Sequence, residues 1–511
     1  MKENNIVDFL LDYSKRKKAV FHMPGHKGSH LYREFGYGEF LDNFMECDIT
    51  EITGADNLYY PQDIIKNIQD EYADLYGVEA TLLSVNGASN AIIASIMTAC
   101  DYGDKIIVIG DAHKSVESAI RLYRLDAVRI PYMTGSENIC YEDIALTFSE
   151  TEGVKAVLMT NPTYKGTIND VSAVANLAHK NNAILIVDQA HGAHLKLFSD
   201  CGISVTFGNN SECSGNADMD YSKDSVNADM TCVKPSAEDC GADIVINSLH
   251  KTLAVMTQAA IVNVVSIKID KNLLLENMQL IQTSSPSYIL MTSLYINSQI
   301  IKSHGKELFI RWKESVDAFL ARCESFKKIS IIKSNNIDFT KINIDFSQTG
   351  LLAWQIEKLL VMQGVYMEMY NGNIVLAMTG IGNREEEYEA LYKALEDIDN
   401  NSNKYISMFG KQRNNDDKSF EFKLNDMPNI SNDFNLGKGD FSINDIDIEA
   451  LNLKRYIGKI ADCDIIPYPP CVILVRKGEC ITAEHIEKIE EYILGRHLVY
   501  GVSETGEIAI K

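Results

Sequence analysis

Long apolar runs are missing from this 511-residue sequence, and with them any membrane-crossing helix, which needs about 20 consecutive apolar residues. No C-x-x-C pair occurs either. The eleven cysteines are scattered and odd in number, which suits reduced thiols and not a disulfide framework or a zinc site. Positive charge is scarce: lysine and arginine total 48 against 71 aspartates and glutamates, a net charge of −23. That balance argues against a nucleic-acid binder, which needs a basic face for phosphates. The same acidity steers a cationic small molecule gently toward the chain, and it equally serves plain solubility. The opening stretch, MKENNIVDFLLDYSKRKK, carries acidic residues and no apolar core with a cleavage site. No signal peptide is expected there, and the expected location is cytoplasmic.

What is present is an alternation of patterns. Two or three domains are expected at this length. Residues 1–62 mix short helical patterns with the loop-like HMPGHKGSH and DITEITGAD and read as an N-terminal arm. Residues 63–305 read as a large domain. A helical stretch (IIKNIQDEYADLYG) ends at Gly77, and then short β-rich runs (TLLSV, IIVIG, AVRIPY, KAVLMT, AILIVD, DIVINS) alternate with helical patterns. Such alternation predicts an α/β domain with a mainly parallel sheet covered on both faces. Inside it, residues 199–240 are rich in Ser, Asn, Asp and Gly without apolar periodicity and read as a surface insertion. A small α+β domain over 306–399, a polar linker over 400–441 and a C-terminal α+β unit over 442–511 complete the expected organisation. No internal repeat is found.

The chemistry gathers where strands end. Lys251, in SLHKT (Ser248–Thr252), follows the apolar run DIVIN, and α/β folds place ligands at that end of their strands. Its amine is the right nucleophile for an aldehyde cofactor once burial or neighbours lower its pKa. Ser248 and His250 beside it suit a phosphate, or hold the lysine loop. A lone lysine is more often a solvated surface residue. Asp188, in IVDQAHGAH, ends a strongly apolar strand where a carboxylate has no packing reason to sit. Pyridoxal 5′-phosphate (PLP) needs an acid at its pyridine nitrogen, because the protonated ring is the better electron sink. A helix cap, or a metal site with His191 and His194, is the alternative. In NGASNA (Asn86–Ala91), Gly87 permits a tight turn, and the N–H groups of Ala88 and Ser89 open a helix as an anion cradle. An ordinary N-capped helix has the same pattern. His113, after IIVIG, is placed to stack on a ring or move a proton, or to serve structure alone. NPTYKGT (Asn161–Thr167) and TSSPSY (Thr283–Tyr288) are polar loops that taken alone read as turns. In a parallel sheet the strand-end groups fall at one edge.

In this order the motifs HMPGHKG (22–28), DITE (48–51), NGASNA, HKSV (113–116), NPTYKG, DQAHGAH (188–194), SLHKT, TSSPSY and PYPP (467–470) resemble the PLP-dependent ornithine/lysine/arginine decarboxylases, in a short bacterial form without an N-terminal wing domain. The resemblance spans positions 22 to 470. It implies the PLP fold-type I, aspartate aminotransferase-like architecture for the large domain. It also implies that Lys251 is the Schiff-base lysine, that Asp188 binds the pyridine nitrogen, and that His113 and Ala190 pack on the two ring faces. Ala88, Ser89, Ser248 and His250 would hold the phosphate, and Thr283 would reach a phosphate across a homodimer interface. Asp462 or Asp464, near PYPP, would meet the distal cation of a basic amino-acid substrate. The sequence departs from the family in places: Gln189 stands where Glu is usual, Cys471 where Gly is usual, Arg476–Glu479 replaces a Pro-Gly-Glu ending, and the insertion over 199–240 is unusual. No metal is implied.

The expected reaction is decarboxylation of lysine, arginine or ornithine, with Lys251, His113 and Asp188 as the catalytic set. An aminotransferase or another lyase on the same fold is the alternative. Transaminases carry a small-domain arginine for the α-carboxylate, and residues 341–400 hold one arginine, Arg384, among acids. A PLP-binding protein without catalysis is a third reading, against which the intact Lys251, Asp188 and His113 speak.

Overall fold

A computed structural model describes residues 5–207, 234–412, 451–468, 471–494, 497–503 and 505–511. Most of the stretches read as insertion and linker, together with Pro469 and Pro470 of PYPP, lie outside the described residues.

Helix α1 (Ile6–Lys15) leads into β1 (Ala19–Phe21), two short helices, α2 (His30–Glu34) and α3 (Gly38–Asp42), and then α4 (Ile64–Tyr76). Gly77 ends α4 in left-handed backbone, φ +64°, a conformation that costs glycine little. Strands and helices then alternate through β2 (Ala80–Ser84), α5 (Gly87–Ala99), β3 (Lys105–Ile109), α6 (Lys114–Tyr123), β4 (Asp126–Ile130), α7 (Tyr141–Glu150) and β5 (Val154–Thr160). They continue through α8 (Val171–Lys180), β6 (Ile184–Asp188), α9 (Leu195–Asp200), β7 (Ile244–Asn247) and β8 (Ala260–Val264). These strands form one seven-stranded sheet in the order β2–β8–β7–β6–β5–β3–β4. Only β8 runs against its neighbours; the other pairs are parallel. The carboxyl ends of the remaining strands therefore share one edge.

Period-2 side-chain alternation splits each strand between two cores. Ile106, Val108, Leu158 and Ile186 face a cluster with Ala91, Ile92 and Ile96 of α5. Ile107, Ile109, Val157 and Val187 face one with Ile144, Phe148, Val171 and Val174 of α7 and α8. Burial on both faces is why these strands read as continuous apolar runs.

After α10 (Lys271–Ile281), helix α11 (Tyr288–Cys323) runs unbroken through residues 305 and 306, where the sequence reading divides two domains. Ile301, Leu308 and Trp312 are buried along it, so packing carries the helix across. An antiparallel sheet follows in the order β12–β13–β10–β9, from β9 (Ser330–Ile332), β10 (Lys341–Asp345), β12 (Met369–Asn371) and β13 (Ile374–Met378). Helix α12 (Ala353–Met362) precedes β11 (Val365–Met367), which takes β1 of the N-terminal arm as a parallel partner. Helix α13 (Glu385–Gln412) reaches past residue 400, into the stretch read as linker. Ile398, Ser402, Tyr405 and Phe409 are buried on one face of it. The C-terminal unit pairs β14 (Ile466–Tyr468) with β15 (Leu498–Tyr500) beside α14 (Ala483–Leu494) and has its own core around Tyr456, Ile465, Val475, Ile486 and Ile489. No helix among the described residues is long and apolar enough to cross a membrane.

Candidate active site

The shared sheet edge opens into a cavity of about 440 Å³. Eight of the nine residues expected at a cofactor line it: Ala88, Ser89, His113, Asp188, Ala190, Ser248, His250 and Lys251. Thr283 does not. It sits in the turn after α10, where its carbonyl accepts from the Tyr59 hydroxyl and its own hydroxyl lies 3.2 Å from that of Ser285.

Lys251 ends a short helical turn (Leu249–Lys251) directly after β7. Leu249 is fully buried and anchors the turn, which leaves the lysine free to face the cavity. Its Nζ lies 2.8 Å from Nε2 of His191. Burial pulls the amine down to about 8, against the opposing pull of Asp188 and Glu368, so a useful fraction is uncharged near neutral pH. The turn is held from outside by the N-terminal arm, whose Gly25 N–H donates to the His250 carbonyl at 2.7 Å. A Cβ on Gly25 would lie 2.4 Å from the Thr252 carbonyl carbon, so only glycine fits. This contact gives HMPGHKG a role that the sequence left open.

Asp188 ends β6. One carboxylate oxygen accepts the Ala190 N–H at 3.1 Å, and among the described residues the other has no hydrogen-bond partner. Burial raises its pKa, with Lys251 and the Ala190 bond opposing. An under-satisfied buried acid on a cavity wall calls for a protonated nitrogen opposite it. Helix α5 starts at Gly87 (φ +77°) without a side-chain cap, which leaves its first N–H groups available to an anion. The Ser89 and Ser248 hydroxyls are not engaged by another group among the described residues, so their donors are unspent. These groups fit the phosphate, ring nitrogen and aldehyde of PLP.

His113 caps α6 by accepting the Ser115 N–H on Nδ1 at 3.2 Å. Burial, then Lys251 and Lys114, lower it to about 4, so the ring is neutral at pH 7 with its proton on Nε2. His250 is also pushed to about 4, chiefly by burial. His191 and His194 face different partners, Lys251 and Asp338, and the described residues contain no cluster able to hold a metal.

The C-terminal unit borders the cavity with Tyr468, Cys471, Val472 and Tyr492, and the Lys114 N–H donates to the Cys471 carbonyl at 3.2 Å. Cys471 has φ +65°, backbone that the usual glycine adopts more cheaply. Arg476 bonds Glu117 of α6 at 3.2 Å. The expectation for Asp462 and Asp464 is corrected: neither lines the cavity. Asp464 accepts from Arg121 at 2.5 Å and Asp462 pairs with Lys477 at 3.1 Å, so local cations claim both. The acids that line it besides Asp188 are Asp111, Glu137 and Glu368. Glu368, from the short connection between β11 and β12, accepts the Tyr164 hydroxyl at 2.6 Å and the Met23 N–H at 3.0 Å. No periodic pattern in the sequence marks it. Arg384 is absent from the lining and pairs with Glu386 at 3.0 Å.

Gln189 has a physical reason. Its side-chain N–H groups donate to Glu238 at 2.8 Å and to Asn247 Oδ1 at 3.2 Å, and its Oε1 accepts the Ala237 N–H at 2.8 Å. Glu238 also receives Ser236, Asn247 and Asn263. A glutamate at 189 would set two buried carboxylates against each other. Gln189→Glu is expected to cost about 1–3 kcal/mol. Thermal unfolding read between pH 5 and 8 should show the deficit growing with pH, because burial raises the new acid's folded-state pKa and its ionisation then destabilises. An unchanged midpoint at pH 8 would count against this account.

The family model for "Orn/Lys/Arg decarboxylase, major domain" matches residues 5–206 and 225–356, with a gap inside the Asn- and Asp-rich stretch. The chain is similar to an arginine decarboxylase of Bacillus anthracis, 26% identical over 505 residues that cover 96% of this chain and 93% of that one. It is similar to a solved lysine decarboxylase of Francisella novicida at a TM-score of 0.63 and 16% identity, covering 98% of this chain and 80% of that chain. A serine palmitoyltransferase of Sphingomonas wittichii matches at a TM-score of 0.54 and 13% identity, over 76% and 88%. The likenesses to solved structures are of fold, and the fold is PLP fold-type I.

Proposed function

The chain belongs to the Orn/Lys/Arg decarboxylase family, and from that premise we propose that it decarboxylates a basic amino acid, holding PLP through Lys251 and releasing CO2 and a di- or polyamine. The observation that carries this reading is the convergence of Lys251, Asp188, His113 and the α5 N-terminus on one cavity. When bound, PLP supplies a ring that accepts the electron pair left as CO2 departs.

The chain's own residues do the rest. Ala88 and Ser89 N–H groups, with the Ser89 and Ser248 hydroxyls and His250, would bind the phosphate. Asp188 would keep the proton on the ring nitrogen, and Ala190 and His113 would pack on the ring. Lys251 in its ammonium form, or His113 once protonated, would hand a proton to Cα, and neutral His113 would offer a hydrogen bond from Nε2–H. Thr283 would serve the cavity of a second copy, which makes a homodimer the smallest competent assembly, in the cytoplasm. Arg384, tied to Glu386 outside the cavity, supports decarboxylation over transamination.

Asp188 and Glu368 are the two carboxylates acting most on Lys251. With Asp188 assigned to the ring, Glu368 is the acid for the substrate's cation. A charge-assisted hydrogen bond contributes about 1.5–3 kcal/mol, so Glu368→Gln should raise KM roughly 10- to 100-fold with a smaller change in kcat. Equal KM values for variant and parent would remove Glu368 from substrate binding.

The test of the function is a visible spectrum of the purified protein, followed by CO2 release with lysine, arginine and ornithine in turn. A cofactor band and CO2 from one of them is the expected result. A band with keto acid and no CO2 would replace the reading by transamination, and no band after added PLP would end it.

A further inference from the structure

Beneath the cavity lies a set of fully buried ionisable groups that the reaction above does not use. Lys341, the first residue of β10, has no exposed side-chain surface, and neither do Asp338 and His194. Lys341 Nζ lies 3.5 Å from an Asp338 carboxylate oxygen, and the other oxygen lies 3.2 Å from His194 Nε2. The same Nζ donates to the His191 carbonyl at 3.3 Å. To reach it the lysine stem passes over Gly166 of NPTYKG, where a Cβ would come within 2.8 Å of Lys341 Cβ. Three separate segments thus meet at His191: the loop after β5, the loop after β6 and the start of β10.

His191 itself is buried, with Tyr164 edge-on at 4.7 Å between ring centroids. Its Nε2 faces Lys251 Nζ at 2.8 Å, and among the described residues its Nδ1 has no partner. Burial, with Lys251 and Lys341, holds the ring well below its ordinary pKa, so it is neutral. A neutral imidazole beside a lysine that carries a proton for part of the time is an acceptor for that lysine's N–H.

We infer that His191 is a further catalytic residue, accepting a hydrogen bond from the Lys251 amine and so aiming that amine into the cavity, and that Lys341 is the positioning residue holding His191 by its carbonyl. This rests on Lys251 being the reacting amine. The charged and titratable groups around Lys251 are Asp188, Glu368, Lys341 and Cys471, with His191 in contact and His113 and His250 close by.

The test labels the cofactor-free full-length chain with an amine-acylating reagent across pH and reads Lys251 by peptide mass. The parent midpoint is expected at about 8. His191→Phe removes an acceptor for the charged form and should lower the midpoint by about one pH unit. His191→Gln, which keeps an acceptor oxygen, should bring it back. Lys341→Gln keeps a donor for the His191 carbonyl but removes a positive charge near Lys251, so the midpoint should rise. In the loaded enzyme His191→Phe should lower kcat and leave KM nearly unchanged. Matching labelling midpoints for parent and His191→Phe would overturn the inference, as would a fall in Lys341→Gln. Shifted midpoints in a chain that releases no CO2 would leave the inference standing and defeat the proposed reaction instead.

Discussion

Lys251→Ala is expected to abolish CO2 release, lowering turnover by at least about 10³-fold, while the protein stays folded. The two halves of that expectation have separate causes. The turn that carries the lysine is fixed by Leu249, fully buried, and by the Gly25 N–H on the His250 carbonyl; neither involves the amine. The amine is a cost to the fold, because burial lowers its pKa to about 8. Removing it should leave the thermal midpoint of the cofactor-free chain equal or higher. Borohydride should fix cofactor to the Lys251 peptide of the parent and to no peptide of the variant. Near-normal turnover in a folded Lys251→Ala protein would defeat the mechanism. A variant that unfolds would instead show that the lysine is structural.

Why these residues could be read from the sequence is a matter of contrast. Asp188 ends a strand buried on both faces, and Lys251 and His113 each follow such a strand by four residues, so a polar group there stands out. A parallel sheet then delivers them to one edge without further information. Glu368 offers no such contrast. It lies between two three-residue strands, and its place in the cavity depends on how the small sheet packs on the N-terminal arm. Asp462 and Asp464 misled for the related reason that cations claim them, Arg121 from distant α6 and Lys477 from the same C-terminal unit. The end of α13 was hidden by composition: its run DNNSN reads as linker, yet Tyr405 and Phe409 continue the buried face set by Ile398. Gln189, a departure from the family pattern, became intelligible only with Glu238 beside it.

Asp188→Asn should separate what the site costs from what it does. The asparagine keeps an oxygen for the Ala190 N–H but cannot hold a proton on a ring nitrogen by charge. Loss of one preorganised electrostatic group of this kind lowers turnover by roughly 10²- to 10³-fold. Stability should move the other way. Burial raises the Asp188 pKa above its ordinary value, so the folded chain binds that proton more tightly than the unfolded one. Native stability therefore falls as pH rises from the ordinary aspartate range through the raised folded value, and it stays lower above it. Asparagine does not titrate. In the cofactor-free protein the variant should have the higher thermal midpoint at pH 7, with the gap closing as pH falls toward 4. Bound cofactor should reverse the order, because only the aspartate gains an ion pair with the protonated ring. If the cofactor-free parent and variant melted alike at every pH, Asp188 would be satisfied without a ligand and its place at the ring nitrogen would be lost. If the variant turned over normally, the acid would be no part of the chemistry.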